Sequence, residues 1–173
     1  MLRLLLFTIS CCWMLSISAQ ADRWQQRIMY NMDIDFNVSD HTFEGKQRIV
    51  YINNSPDQLD KVFYHLYYNA FQPGSMMDVK SRTIEDPDRR VGSRIYSLDT
   101  KQMGFTKVNT LTQNGRDVAF KEEGTILEVT LNEPIPPNGA AVFEMEFLSQ
   151  VPDQIRRTGK FSSEAIDLSL IHI

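Results

Sequence analysis

Apolar and polar residues alternate from Ile28 to Val38, with Met29 the one apolar residue on the polar side. Ile28, Tyr30, Met32, Ile34, Phe36 and Val38 fall on one face, and Met29, Asn31, Asp33, Asp35 and Asn37 on the other. This period of two predicts a half-buried strand. Ser39-Asp40-His41 reads as its turn, and Thr42 to Asn53 as the return strand, rich in β-formers at Ile49, Val50, Tyr51 and Ile52. Gly45 inside that strand marks a bulge or a close approach of backbone. Asn53 to Asp57 is a second turn cluster. The stretch Lys61–Asp78, KVFYHLYYNAFQPGSMMD, is the most aromatic part of the chain. Its run from Val62 to Phe71 is expected to form a strand buried on both faces, stopped by Pro73-Gly74.

Gln72 to Gly92 sustains no period and carries Pro73, Gly74, Pro87 and a charged centre at Glu85 to Arg90. It is expected to be a long surface excursion with one helical turn. Loops of that length are usually functional or mobile. Strands resume over Phe105 to Thr112. Asn114-Gly115 is a type I′ hairpin signal, with Gln113 and Arg116 as residues that would widen the loop. Val118 and Phe120 begin the return, Leu127, Val129 and Leu131 alternate with polar neighbours, and Pro134 to Gly139 breaks the chain. Phe143, Met145 and Phe147 alternate with Glu144 and Glu146. The expected fold class is therefore all-β: an antiparallel β-sandwich or saddle of about seven or more strands, with one long irregular excursion.

The N-terminus changes the picture of where the protein works. Arg3, the apolar run Leu4 to Ile17 and the small-x-small ending Ala19-Gln20-Ala21 read as a secretory signal peptide over residues 1–21. The run is shorter than the roughly 20 residues that span a bilayer, so no transmembrane anchor is expected after cleavage. A lipoprotein anchor would need Cys11 or Cys12, and Thr8-Ile9-Ser10-Cys11 is a poor match for one. The expectation is export to a periplasm or the extracellular space. Both cysteines lie in the leader, which leaves no disulfide or thiol nucleophile in residues 22–173. The 18 basic residues less Arg3 leave 17, against 22 acidic, a balance of −5 that argues against a nucleic-acid partner.

Candidate chemistry is sparse. His41, His65 and His172 have no metal-ligand spacing. His65 is expected to be a core or half-buried residue, and His41 a solvated turn residue. Asp33 with Asp35, and Glu144 with Glu146, are carboxylate pairs on one strand face each, more readily explained as solvated faces than as acid–base machinery. Asp86, Asp88, Arg89 and Arg90 would pair with one another or dock on another domain. Met76-Met77 would be an adaptable contact surface or a plug for the sandwich end. Asn37-Val38-Ser39 and Asn53-Asn54-Ser55 match glycosylation acceptors. No phosphate loop, nucleophile elbow or nucleophile–base arrangement is present. Catalytic, substrate-binding and metal-ligating residues are all expected to be none.

The string FYHLYYNAFQPGSMMDVKSRTIEDPD, with WQQRIMYNMDIDFNV and FEGKQRIVYINNSPD before it and VPDQIRRTGKFSS later, resembles the N-terminal domain of aminopeptidase N-type zinc metallopeptidases, in their exported bacterial branch. The resemblance covers roughly Trp24 to Asp167. It implies a β-saddle over residues 22–167 that docks on a thermolysin-like catalytic domain and walls the substrate site. It implies zinc and peptide substrates for the complete enzyme, and no cofactor in this stretch. The family's zinc motif H-E-x-x-H and its Gly-x-Met-Glu-Asn substrate motif do not occur here. The family's substrate-contacting Gln, expected just beyond Asp167, has no counterpart in Leu168 to Ile173. Residues 168–173 are accordingly expected to be a truncation or a foreign tail. The alternative is a stand-alone secreted β-sandwich that binds carbohydrate or protein.

Overall fold

The computed structural model describes residues 24–84, 92–155, 158–160, 162 and 166–168. Two antiparallel sheets of five and three strands form a sandwich, and strands make up 54% of the described residues. The strands are β1 (Arg27–Asn37), β2 (Thr42–Ile52), β3 (Leu59–His65), β4 (Phe105–Gln113), β5 (Arg116–Asp117), β6 (Ala119–Glu123), β7 (Ile126–Ile135) and β8 (Ala140–Gln150). A further pair, β9 (Thr158–Lys160) and β10 (Ile166–Leu168), lies outside both sheets. The larger sheet runs β1-β2-β8-β4-β5 and the smaller β3-β7-β6. No helix among the described residues is long and apolar enough to cross a membrane.

Alternation places the core. Ile49 of β2, Val108 and Leu111 of β4, and Ala141, Phe143 and Met145 of β8 face Val62 of β3 and Leu127, Val129 and Leu131 of β7. Val108 and Leu111 are three apart yet both buried, because a register shift between Val108 and Thr110 inserts one extra residue. The β4–β5 turn is the two-residue form, with Asn114 (φ 52°) and Gly115 (φ 78°) both left-handed. Gln113 and Arg116 pair with each other and do not widen it. The chain then crosses between sheets at buried Val118.

Two other crossings meet at one buried side chain. The Asn53 amide nitrogen donates to the carbonyls of Asp57, Ile135 and Pro136, and its oxygen accepts from Gln26 Nε2 and from the Ser55 backbone N–H and hydroxyl. Its backbone N–H donates to Gly139, and its carbonyl accepts from Asn138. The β2–β3 and β7–β8 connections thus share one hub, which satisfies backbone groups that the turns leave unpaired. Asn53 is fully buried, so this acceptor motif is inaccessible in the folded chain.

Gly45 marks a close approach, not a bulge: register is continuous from β1 through β2 to β8. The Phe147 ring lies across its α-carbon, and a β-carbon there would sit 2.6 Å from Cε1 and 2.9 Å from Cε2.

The aromatic stretch departs from expectation. Its strand ends at His65, only Val62 within it is buried, and Phe63 is 60% exposed. After Leu66 the chain turns into a 3-10 helix over Tyr67–Phe71. Three residues per turn bring Tyr68 and Phe71 onto one side. There they join Ile95 and Ile155 in a second core cluster. Dense apolar content here comes from a strand at a sheet edge followed by a one-sided helical turn, not from a strand covered twice. The excursion holds more order than expected: α1 (Met76–Thr83) occupies its first half. Glu85 to Arg90, with the charged cluster, lies outside the described residues.

Candidate docking face and groove

Strand pairing fixes which side chains share a face. Ile28, Tyr30, Met32, Ile34 and Phe36 stand opposite Tyr51, Ile49, Gln47, Gly45 and Phe43 of β2. That is the inner face of the five-stranded sheet, the one carrying Phe143 and Met145. The apolar row of β1 therefore points inward as the sequence pattern requires. It is not half-buried, however: Ile28 is 37% exposed, Tyr30 59%, Met32 49% and Ile34 45%. The cause is width. A three-stranded sheet covers the middle of a five-stranded one, and β1 overhangs it as a wing.

Beneath the wing lies a groove of about 300 Å³ between Met32, Phe43 and Gln47 on one side and Tyr64, His65 and Tyr67 on the other. Its walls are stiffened by aromatic contacts. Phe43 packs edge-on against Tyr68 (6.3 Å) and Phe147 (6.1 Å) and stacks on Phe36 (6.1 Å). Tyr64 meets Phe143 edge-on at 6.4 Å. Burial, with a smaller contribution from the Tyr30 phenol, pushes the Tyr64 hydroxyl well above its ordinary range. Burial also raises Tyr51, and raises Tyr68 against an opposing hydrogen bond with Thr158. These phenols stay neutral donors at physiological pH. Covering the exposed parts of Ile28, Tyr30, Met32 and Ile34 would contribute about 1 kcal/mol per side chain at ~25 cal/mol per Å². The face suits apolar contact, not chemistry.

The outer face of the same sheet is polar. Asn31, Asp33, Lys46, Arg48, Glu144 and Glu146 surround a hollow of about 640 Å³. Lys46 pairs with Glu146 (3.3 Å) and Arg48 with Glu144 (3.7 Å), all well exposed. Such pairs contribute about 0–1 kcal/mol each. Asp33 stands opposite Lys46 and Asp35 opposite Glu44, so both carboxylate pairs belong to a solvated ladder.

The histidines are placed differently from expectation. His65 is exposed and stacks on Tyr67 at 5.3 Å. An outward-facing position on an edge strand explains why its apolar neighbours do not enclose it. His41 is buried, with a left-handed backbone (φ 54°), its carbonyl accepting from Val151 and its Nε2 without a partner among the described residues. The β8 end closes over the turn and removes it from solvent. His172 lies outside the described residues. Among those residues no three His, Cys, Asp or Glu side chains are grouped to hold a metal ion. Met76 is 88% exposed, while Met77 packs on the second core cluster, so the two methionines divide the roles considered for them. Asn37 sits at an exposed turn, its side chain bonded to Ser39 and Asp40.

One buried charge lies outside every candidate site that the sequence suggests. Asp78, fully buried, accepts from Arg82 Nε (3.0 Å) and Nη2 (3.1 Å) and from the Gly74 N–H (2.8 Å). Arg82 also lies over the Tyr96 ring at 4.8 Å. Ser75 caps α1 by accepting from the Asp78 N–H. The spacing Ser75-x-x-Asp78 is a capping signal that was readable in the sequence. Asp78 thus binds the start of the excursion to the segment around Tyr96.

No protein-family model matches the chain, and no curated protein does. Solved structures do. The chain is similar to the M1 zinc metallopeptidase of Deinococcus radiodurans, at 10% identity and a TM-score of 0.48 over 80% of this chain and 25% of that one. A variant of that enzyme bound to a Tyr-Ser-Ala substrate gives the same values. A two-domain M1 zinc metallopeptidase variant bound to L-tryptophan matches at 10% identity and a TM-score of 0.46, over 81% of this chain and 23% of that one. The chain spans about a quarter of the length of these structures.

Proposed function

We propose that this chain is the non-catalytic N-terminal β-domain of an exported zinc-dependent aminopeptidase that removes N-terminal residues from peptides. In the complete protein the domain docks on a catalytic domain and forms one wall of its substrate site. The observation that carries this reading is the uncovered wing: an alternating apolar row from Ile28 to Ile34 and a groove below it, both lacking a covering layer among the described residues. Monomeric proteins rarely expose contiguous apolar patches of this kind unless something binds them. The strings around Trp24 to Asp57 and Phe63 to Asp88, which resemble the family, support a peptidase catalytic domain as the partner. Zinc, held by residues of that domain, would polarise the peptide carbonyl and activate water. No residue of this chain is assigned to hold it.

The test has two arms. Continuing the native reading frame past Asp167 should reach H-E-x-x-H; a native stop codon after Ile173 would favour the stand-alone binding module instead. The purified chain should release no product from aminoacyl-nitroanilides with or without zinc. Zinc-dependent turnover by this chain alone would refute the non-catalytic assignment.

A further inference from the structure

The two sandwich sheets have four free edges, and three of them carry devices that discourage pairing with another chain. Strand β6 is five residues long and ends in Lys121, Glu122 and Glu123, all exposed. Strand β3 is broken by a register shift between Leu59 and Lys61, with charged Asp60 and Lys61 at the break. The β4 edge carries exposed Lys107 and the shift at Asn109, and it is partly capped: the Asn69 side chain accepts from the Thr106 N–H, and Leu111 accepts from the Val118 N–H. The fourth edge is different. Strand β1 runs eleven residues in unbroken register with β2, contains no Lys, Pro or Gly, and is exposed at every residue but Phe36; its charges, Arg27, Asp33 and Asp35, are of both signs. Nothing among the described residues pairs with its outer side.

We propose that this edge is an interface between two copies of the chain, formed by antiparallel pairing of β1 with β1 of the second copy about a twofold axis at Asn31. The choice of occupant follows from self-complementarity. A residue-centred twofold always sets even residues opposite even ones, so the apolar row meets itself. With Asn31 on the axis, Ile28 faces Ile34 and Tyr30 faces Met32. The same register places Arg27 opposite Asp35, twice, which opposes charges directly across the ladder. Axes at Asp33 or Ile34 would set aspartates against aspartates. The axis at Met32 leaves Arg27 against Asn37 and gains no ion pair, and the axis at Tyr30 sets Arg27 against Asp33 but engages only residues 27–33 of the strand. The interface is isologous and closed, as a twofold contact must be. It pairs through the edge of β1 but draws on the same apolar row as the docking reading, so the Arg27–Asp35 exchange, which leaves that row intact, is what separates the two.

Sedimentation equilibrium of the purified chain from about 1 to about 200 µM tests it over the range expected for a modest interface. The expected result is a monomer–dimer equilibrium. Arg27→Asp should weaken dimerisation about 3- to 30-fold, since two cross-strand pairs are each replaced by repulsion. The double exchange Arg27→Asp with Asp35→Arg should restore it. Ile34→Lys, which sets a lysine against Ile28 at two places in the ladder, should abolish it, with far-UV circular dichroism and a urea midpoint checking that the fold is kept. A chain that stays monomeric throughout overturns the proposal. So does a dimer indifferent to Ile34→Lys, a charge exchange without rescue, or open-ended growth into larger oligomers.

Discussion

Replacing Gly45 by alanine tests the packing that holds β1 and β2 against the body of the domain. The added β-carbon would meet Phe147 Cε2 at 2.9 Å and Cε1 at 2.6 Å, with Cζ nearer still. Ordinary contact begins near 3.4 Å, so the ring must retreat by about 1 Å. Phe147 cannot retreat freely, because its ring is held edge-on against Phe43, which in turn contacts Phe36 and Tyr68. Overpacking of this sort costs about 1–3 kcal/mol. The lower backbone entropy of alanine in the unfolded chain returns about 0.4–1 kcal/mol. The steric cost wins, leaving a net loss of about 1–2 kcal/mol. For a domain of this size that lowers Tm by about 2–8 °C. Urea unfolding of the wild type, Gly45→Ala, Phe147→Leu and the double variant gives a cycle. Leucine lacks the ring atoms that clash, so the double variant should be more stable than the sum of the two losses by about 1 kcal/mol or more. Strict additivity, or a stabilising Gly45→Ala, would refute the claim that Phe147 is the reason for glycine here.

Asn53→Ala should cost about 2–4 kcal/mol, because three carbonyls and the Ser55 groups lose their partner in a buried corner; a urea midpoint near wild type would contradict the hub. Asp78→Asn keeps the shape but removes the charge facing Arg82, so segment 72–84 should lose amide-exchange protection while β7 and β8 keep theirs; uniform protection would show that Asp78 does not hold the excursion. The raised Tyr64 hydroxyl gives a pH signature. Its folded pKa lies above the unfolded value near 10, so its contribution is complete below about pH 10 and falls as pH rises further, by up to about 1.4 kcal/mol per pH unit. Urea midpoints at pH 8 and pH 11 should differ less in Tyr64→Phe than in wild type; an equal difference would remove Tyr64 as a cause.

Much of the fold was legible because period two is a strong signal where turns are marked. The β1–β2 hairpin, the Asn114-Gly115 turn and the inward rows of β7 and β8 follow from alternation and turn chemistry alone. Pattern says which face of β1 is apolar, but not whether the opposite sheet is wide enough to cover it. That depends on how many strands β3, β6 and β7 assemble, a property of the whole topology. The aromatic run misled for a related reason: apolar density does not distinguish a strand covered twice from an edge strand followed by a 3-10 turn. His41 looked solvated because turns usually are, and only the β8 end crossing it shows otherwise. Asn53 was legible only as part of a turn cluster with Ser55 and Asp57; its role as a hub was not, since Ile135 and Pro136 lie some 80 residues away. Asp78 had one, in the capping spacing of Ser75-x-x-Asp78.

The docking claim is tested most directly by methionine oxidation footprinting within β1. Met29 and Met32 occupy one strand with similar exposure, 45% and 49%, but point to opposite faces. In this chain alone, at concentrations below any self-association, the two should oxidise at comparable rates. In the protein expressed from the complete reading frame, Met32 on the inner face should become protected several-fold while Met29 stays reactive. Equal oxidation of both residues in the complete protein would contradict the assignment of the wing as the face that meets the catalytic domain.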